Sequence, residues 1–321
     1  MVKSTETINA EMIERKKSAV KKARRQSVYK ANEIVQTKRF ELSTLEQKIV
    51  AYMVSLIDGE QKELEHVDAS ITDLCILMGI NSNSGKNIET LKSTIRKLAN
   101  KSEWAKIERN GERCETLVRW IEKPTFYYKS GIVRLKLDED LKPYLIGLMN
   151  RYTRYDLENI LAMKSKYGIR LFELCKSWEG RGYFETTLEN LRELFAVEGY
   201  AEWYEFKRNV LDVSVSEINR LTDINIFWKT KKTGRNISKI AFTVQTKSGF
   251  NQVKDLQSTR GKLLDRHLDD EAQQLSFDFE AANDPQTEDF HDTYADALPL
   301  TETEKHAVSR MFGEIAEKKA N

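Results

Sequence analysis

Residues 186–197 read TTLENLRELFAV, and residues 69–80 read ASITDLCILMGI. Laid one on the other at an offset of 117 residues, Ile71, Leu74, Leu77, Met78, Gly79 and Ile80 coincide with Leu188, Leu191, Leu194, Phe195, Ala196 and Val197. Each set has the spacing of a short amphipathic helix that stops at a small residue. Each is preceded by capping chemistry: Ser70 stands three residues before Asp73, and Thr186 three before Glu189. In both, a hydroxyl can accept from an amide that the first helical turn leaves open.

The segments after each echo repeat as well. In the first copy the polar stretch 81–85 leads to a helix expected from about Lys86 to Ala99, with Ile88, Leu91, Ile95 and Leu98 as its buried stripe. In the second, Trp203, Phe206, Val210, Val213 and Leu221 should face inward, and Arg208, Asn209, Asp212, Ser216 and Asn219 outward. Lys207 falls on the apolar side and should snorkel. Hairpins come next. Asn110-Gly111 joins 104–107 to 116–121, residues 129–131 join 126–128 to 132–137, and residues 231–235 join 224–228 to 237–246. Helix, turn, helix and β-hairpin, twice over, is the order of a winged helix.

The fold class expected is therefore α+β and helix-rich, with two tandem winged-helix domains. The divisions are a flexible basic arm at 1–27, a first domain at 28–150, a second at 151–250 and an acidic tail at 251–321. The helix at 45–57, apolar around most of its circumference, should be buried, and residues 138–178 read as a largely helical connector.

Composition fits that outline and narrows the function. Charged residues make up 32% of the 321, with 14 Gly and 4 Pro, as in a helix-rich globular protein. No apolar run is long enough to span a bilayer, and the first ten residues lack a secretory core, so a cytoplasmic protein without membrane contact is expected. Cys75, Cys114 and Cys175 are widely spaced and odd in number, as in a reduced compartment. The four histidines show no metal-ligand spacing and no phosphate loop occurs, so no metal, no cofactor and no catalytic site are expected. The net charge of +2 conceals a division: residues 262–321 hold 6 Lys+Arg against 15 Asp+Glu, leaving the body at +11 and the tail at −9. A basic body favours a polyanionic partner.

In a helix-turn-helix the second helix enters the major groove, which makes Lys207, Arg208 and Asn209 the candidates for reading bases. Arg to guanine and Asn to adenine are the favoured bidentate pairs. Lys229, Lys231, Lys232, Arg235 and Lys239 on the hairpin should hold phosphate. Lys86, Ser93 and Lys97, which share the outward face of the first copy's helix with Thr90, are the corresponding DNA candidates there.

Three stretches carry a resemblance to a known family. They are Tyr29–Val35 with Leu42–Lys48, then Tyr152–Ile160 with Ser165–Leu174, and Phe206–Leu211 with Glu217–Asn219. Together they resemble the initiators of theta-replicating, iteron-type plasmids across residues 28–246. The resemblance implies binding to repeated origin sequences in double-stranded DNA, local opening of the origin, and recruitment of the host initiator and helicase. It also implies autorepression by a homodimer in equilibrium with monomer, with the first winged helix as dimer face. Where many relatives carry a second basic residue this chain has Asn209. In the tail, Gln274, Leu275, Phe277 and Phe279 are similar to the peptide by which bacterial replication proteins dock on the sliding clamp. Residues 300–318 have the pattern of a terminal helix. The alternative reading is a winged-helix transcriptional repressor without initiator activity.

Overall fold

The computed structural model describes residues 18–37, 41–58, 61–82, 84–109, 112–148, 151–197, 199–234 and 236–247. The turn residues Asn110 and Gly111, Arg235, the peptide containing Gln274, Leu275, Phe277 and Phe279, and the expected terminal helix lie outside them.

The first half is assembled around α2 (Thr44–Ser55), after β1 (Ser27–Ala31) and α1 (Asn32–Thr37). Ser43 and Glu46 close a capping box at its start, and every residue from Glu46 to Ser55 is buried, as its all-round apolar pattern requires. Against it pack α3 (Ile71–Met78), entered from β2 (Val67–Ser70), and α4 (Gly85–Asn100). The Ser70 hydroxyl accepts from the Asp73 amide, and Gly79 ends α3 at φ 72°, where a side chain would be strained. The strands β3 (Ser102–Arg109) and β4 (Glu112–Arg119) form one hairpin. β5 (Ile121–Tyr127) and β6 (Ile132–Leu137) form the next, and β2 joins them in the order β2-β6-β5. Pro124 sits on the edge strand β5 where its register shifts, a place at which a missing amide costs least.

The connector departs from its reading. After α5 (Lys142–Leu145), β7 (Tyr152–Asp156) pairs antiparallel with β1, and only then come α6 (Glu158–Leu161) and α7 (Lys166–Ser177). Alternation explains the strand: Thr153 and Tyr155 are buried while Tyr152 and Arg154 are exposed. The expected arm is corrected too, because residues 18–24 are helical and Val20, Ala23 and Arg24 are buried. Two small apolar residues three apart suffice to seat one helical turn but are too sparse to register as a pattern.

The second half repeats the first. β8 (Tyr183–Thr187) leads to α8 (Leu188–Leu194), and β9 (Ile224–Thr233) and β10 (Asn236–Thr246) form the wing in a sheet ordered β8-β10-β9. The cap of α8 lies one residue later than expected, with the Thr187 hydroxyl accepting from the Asn190 amide at 3.1 Å. Ala196, in the place of Gly79, takes φ 48°.

The halves meet through α7. Glu173 on this helix is buried and accepts from Lys30 Nζ at 2.6 Å, Tyr155 Oη at 2.6 Å and Arg170 at 3.2 Å. On the other side, Glu217 accepts from the amides of Lys164 and Ser165, and Lys176 Nζ lies 3.1 Å from Asp223.

Candidate nucleic-acid interface

The second long helix is built in three parts: α9 (Trp203–Phe206), a π-helical segment Lys207–Asp212, and α10 (Val213–Leu221). Arg192 on α8 fixes its approach by donating to the carbonyls of Tyr200 at 3.1 Å and Ala201 at 2.5 Å. The same guanidinium lies 5.5 Å from the centre of the Phe206 ring. Trp203 packs edge-on against Trp228 of β9, so the start of the helix is pinned to the wing.

The π segment decides which side chains point out. A π turn holds one residue more than an α turn, which rotates everything after it relative to an unbroken α-helix. Val210, Leu211, Ser214, Glu217, Ile218 and Leu221 are therefore the buried set, and Val213, expected inside, is 44% exposed. Asn219, expected outside, turns to the wing: its side chain accepts from the Ile226 amide at 2.7 Å and donates to the Ile226 carbonyl at 3.0 Å. It is a latch for β9 and is not available to a ligand. Arg208 and Ser216 are exposed as expected, with Asn209 and Asp212 half-buried.

Arg208 stands over Tyr204, its guanidinium carbon 5.4 Å from the ring centre, and Tyr204 is 65% exposed. Sequence reasoning missed Tyr204, although its position four residues before Arg208 is the helical spacing at which side chains stack. Lys207 does snorkel: its Nζ reaches Asp212 at 2.7 Å and lies 5.7 Å from the Trp228 ring centre.

The wing lysines divide between two faces. Ile224, Ile226 and Trp228 turn toward the helix, and Lys232 continues their row; Phe227, Lys229 and Lys231 alternate onto the outer face, where Lys239 pairs opposite Lys231. Lys231 is held there by Glu185 of β8. Their hydrogen bond draws the Glu185 carboxyl below its ordinary value and raises the Lys231 ammonium. Lys229, Lys232 and Lys239 are exposed.

In the first copy, Lys86 and Lys97 are exposed on α4 and Ser93 is half-buried. The adjoining flank of α4 carries cations that sequence reasoning passed over: Lys92 lies 5.6 Å from the Tyr128 ring and Arg96 5.2 Å from the Phe126 ring. Tyr128, on the turn between β5 and β6, is 76% exposed.

A ridge holding a guanidinium stacked on tyrosine, beside a two-stranded arm of ammonium groups, has the chemistry to bind a polyanion with one group reading planar edges and several holding charge.

The comparisons agree with this architecture. The model described as initiator replication protein, WH1, matches residues 27–176, and that described as initiator Rep protein, WH2, matches residues 187–244. The chain is 29% identical over 159 residues to the PI protein of Escherichia coli, across 43% of this chain and 51% of that protein. It is 24% identical over 123 residues to an uncharacterized 27.6 kDa protein of Escherichia coli, across 38% of this chain and 52% of that one. The chain thus spans about half the length of these curated relatives. Among solved structures it is similar to the Pi initiator protein in complex with iteron DNA, at a TM-score of 0.56 and 22% identity over 70% of this chain and 99% of that one. At that identity the likeness is one of fold.

Proposed function

The chain belongs to the initiator replication protein family, matched in both its winged helices, and from that membership we propose that it initiates plasmid replication by binding repeated duplex sites at its origin. Binding is sequence-specific through the second winged helix. The observation that carries this reading is the exposed Arg208–Tyr204 pair on a helix pinned through Trp203 and Trp228 to a wing that exposes Lys229, Lys232 and Lys239, set on the fold that the solved Pi–iteron complex also has. The first winged helix adds contacts through Lys86 and Lys97 or forms a homodimer face. Recruitment of the host initiator and helicase, repression of its own gene, and docking of Gln274–Phe279 on the sliding clamp complete the proposal. The protein acts by binding, without a catalytic step or cofactor. Among the described residues no helix is long and apolar enough to cross a membrane.

Footprinting purified protein on the DNA that flanks its gene tests the reading, with protection of tandem repeats expected. A minimal plasmid carrying only this gene and those repeats then separates initiation from repression. Maintenance in a permissive host is expected; repression without maintenance would leave a repressor, and no preference for any repeat over random competitor would overturn both.

A further inference from the structure

We infer that the acidic tail, residues 267–304, docks on the basic wing of its own second winged helix and competes there with nucleic acid. The docking stands on charge and geometry alone; only the competition rests on the DNA-binding reading above.

The two segments are segregated by sign to an unusual degree. In the sequence, residues 224–247 contain Lys229, Lys231, Lys232, Arg235, Lys239 and Lys247 and no Asp or Glu. Residues 267–304 contain twelve Asp or Glu and no Lys or Arg. The cations of the wing are presented outward: Lys229, Lys232 and Lys239 are exposed, and Lys231 already binds one carboxylate, Glu185. Phe227 and Tyr183 are 53% and 45% exposed on the same outer face as Lys229 and Lys231, so that face offers apolar contact beside positive charge. The tail carries the matching mixture in Leu275, Phe277, Asp278, Phe279 and Glu280.

Chain connectivity places the two together. β10 returns from the wing tip to Thr246, and Lys247 is held at the end of α10 by bonds from its Nζ to the carbonyls of Asn219 and Thr222, both 2.7 Å. From Lys239 to Thr246 along β10 is about 24 Å at the rise of a strand. Residues 248–267 have a contour length of about 70 Å, so the first acidic residues reach every wing lysine. Because the contact is intramolecular, it competes at an effective concentration in the millimolar range. An anion bound there occupies the cations a duplex would use, so weak random-sequence binding suffers more than binding that also reads bases.

Carbodiimide cross-linking of the full chain, which joins a carboxylate to a lysine ammonium as an amide with loss of water to the carbodiimide, tests the contact. Cross-links from residues 267–304 to Lys229, Lys232 and Lys239 should exceed those to Lys86 and Lys97, and should stay within one chain when isotopically light and heavy protein are mixed. Duplex of random sequence should suppress them. A full-length variant with the twelve carboxylates replaced by their amides should bind that duplex about tenfold tighter at 50 mM salt, and no tighter at 0.5 M, where the screening length is roughly 4 Å. Wing cross-links in a protein that binds no duplex would keep the docking and sink the functional reading. Cross-links spread evenly over exposed lysines would overturn the docking whatever the DNA result.

Discussion

Arg208 on the helix and Lys232 on the wing are both exposed and present different chemistry to a duplex. The Arg208 guanidinium is planar, stacked on Tyr204 and carried on the helix, so its replacement by alanine should cost about 1–3 kcal/mol of binding to the cognate repeat and little on random DNA. Lys232 offers a point charge on the wing, and Lys232→Ala should weaken all duplexes alike and lower the salt slope by about one unit. Titrations of both variants on repeat and random duplexes across a salt series separate the two roles; equal losses on both duplexes for Arg208→Ala would contradict the assignment. Asn219 offers a sharper test of the geometry. Its two bonds to the Ile226 backbone make Asn219→Ala a stability variant, with an expected loss of about 1–3 kcal/mol in urea unfolding. A base-reading Asn219 would instead leave stability unchanged and alter sequence preference. Arg208 is legible from helical spacing because it is the second residue of the π segment, whereas Val213 and Asn219 lie beyond it, where unbroken α spacing puts each on the wrong side. No local sequence pattern announces an extra residue in a helical turn.

At the scale of elements, α7 is fastened to the second winged helix at both ends. Glu217 of α10 accepts from the amides of Lys164 and Ser165 at the start of α7, and Lys176 near its end pairs with Asp223 beyond α10. Gly168 makes the first fastening possible: a Cβ there would lie 2.9 Å from Met163 Cε and 3.0 Å from Glu217 Oε2. Met163 is fully buried and the Glu217 carboxylate is held by the Lys164 and Ser165 amides, so neither neighbour can yield freely. Gly168→Ala should therefore destabilise the fold by about 1–3 kcal/mol. Glu217→Ala should cost a comparable amount, and the double variant less than the sum, because both changes break one contact. A double-mutant cycle in urea measures this, and strict additivity would show that Gly168 does not support Glu217. The echo at 71–80 and 188–197 showed that two such modules exist, since the pattern of each is local. The fastening between them is not legible, because no local pattern marks Glu217 as a buried carboxylate whose partners lie more than fifty positions away.

Across the whole molecule, β1 and β7 bring together residues more than 120 positions apart, and the pairing is sealed by a buried carboxylate that no periodicity reveals. Burial by itself would raise the Glu173 carboxyl, but the Lys30 and Arg170 charges, with bonds from Lys30 and Tyr155, hold it below the ordinary carboxylate range. A carboxyl with a lower value folded than unfolded contributes stability that is complete above the unfolded value, near 4.3, and is lost as pH falls through the folded one. Stability should accordingly be flat from neutral pH to about pH 5 and fall below pH 4. Removing one cation should expose the cost of the buried charge: Lys30→Met leaves Glu173 with one cation, Arg170, and the Tyr155 hydroxyl, so the expected loss at pH 7 is about 3–5 kcal/mol. Since a protonated Glu173 no longer needs Lys30, the gap between variant and parent should narrow as the pH is lowered below 4. Urea unfolding of both proteins at pH 7, 5 and 3.5 measures that gap directly. A gap of constant size would mean that Lys30 contributes through its ammonium over the Trp120 ring, whose centre lies 5.9 Å from its Nζ, and that the ion pair is not what joins the amino-terminal strand to α7.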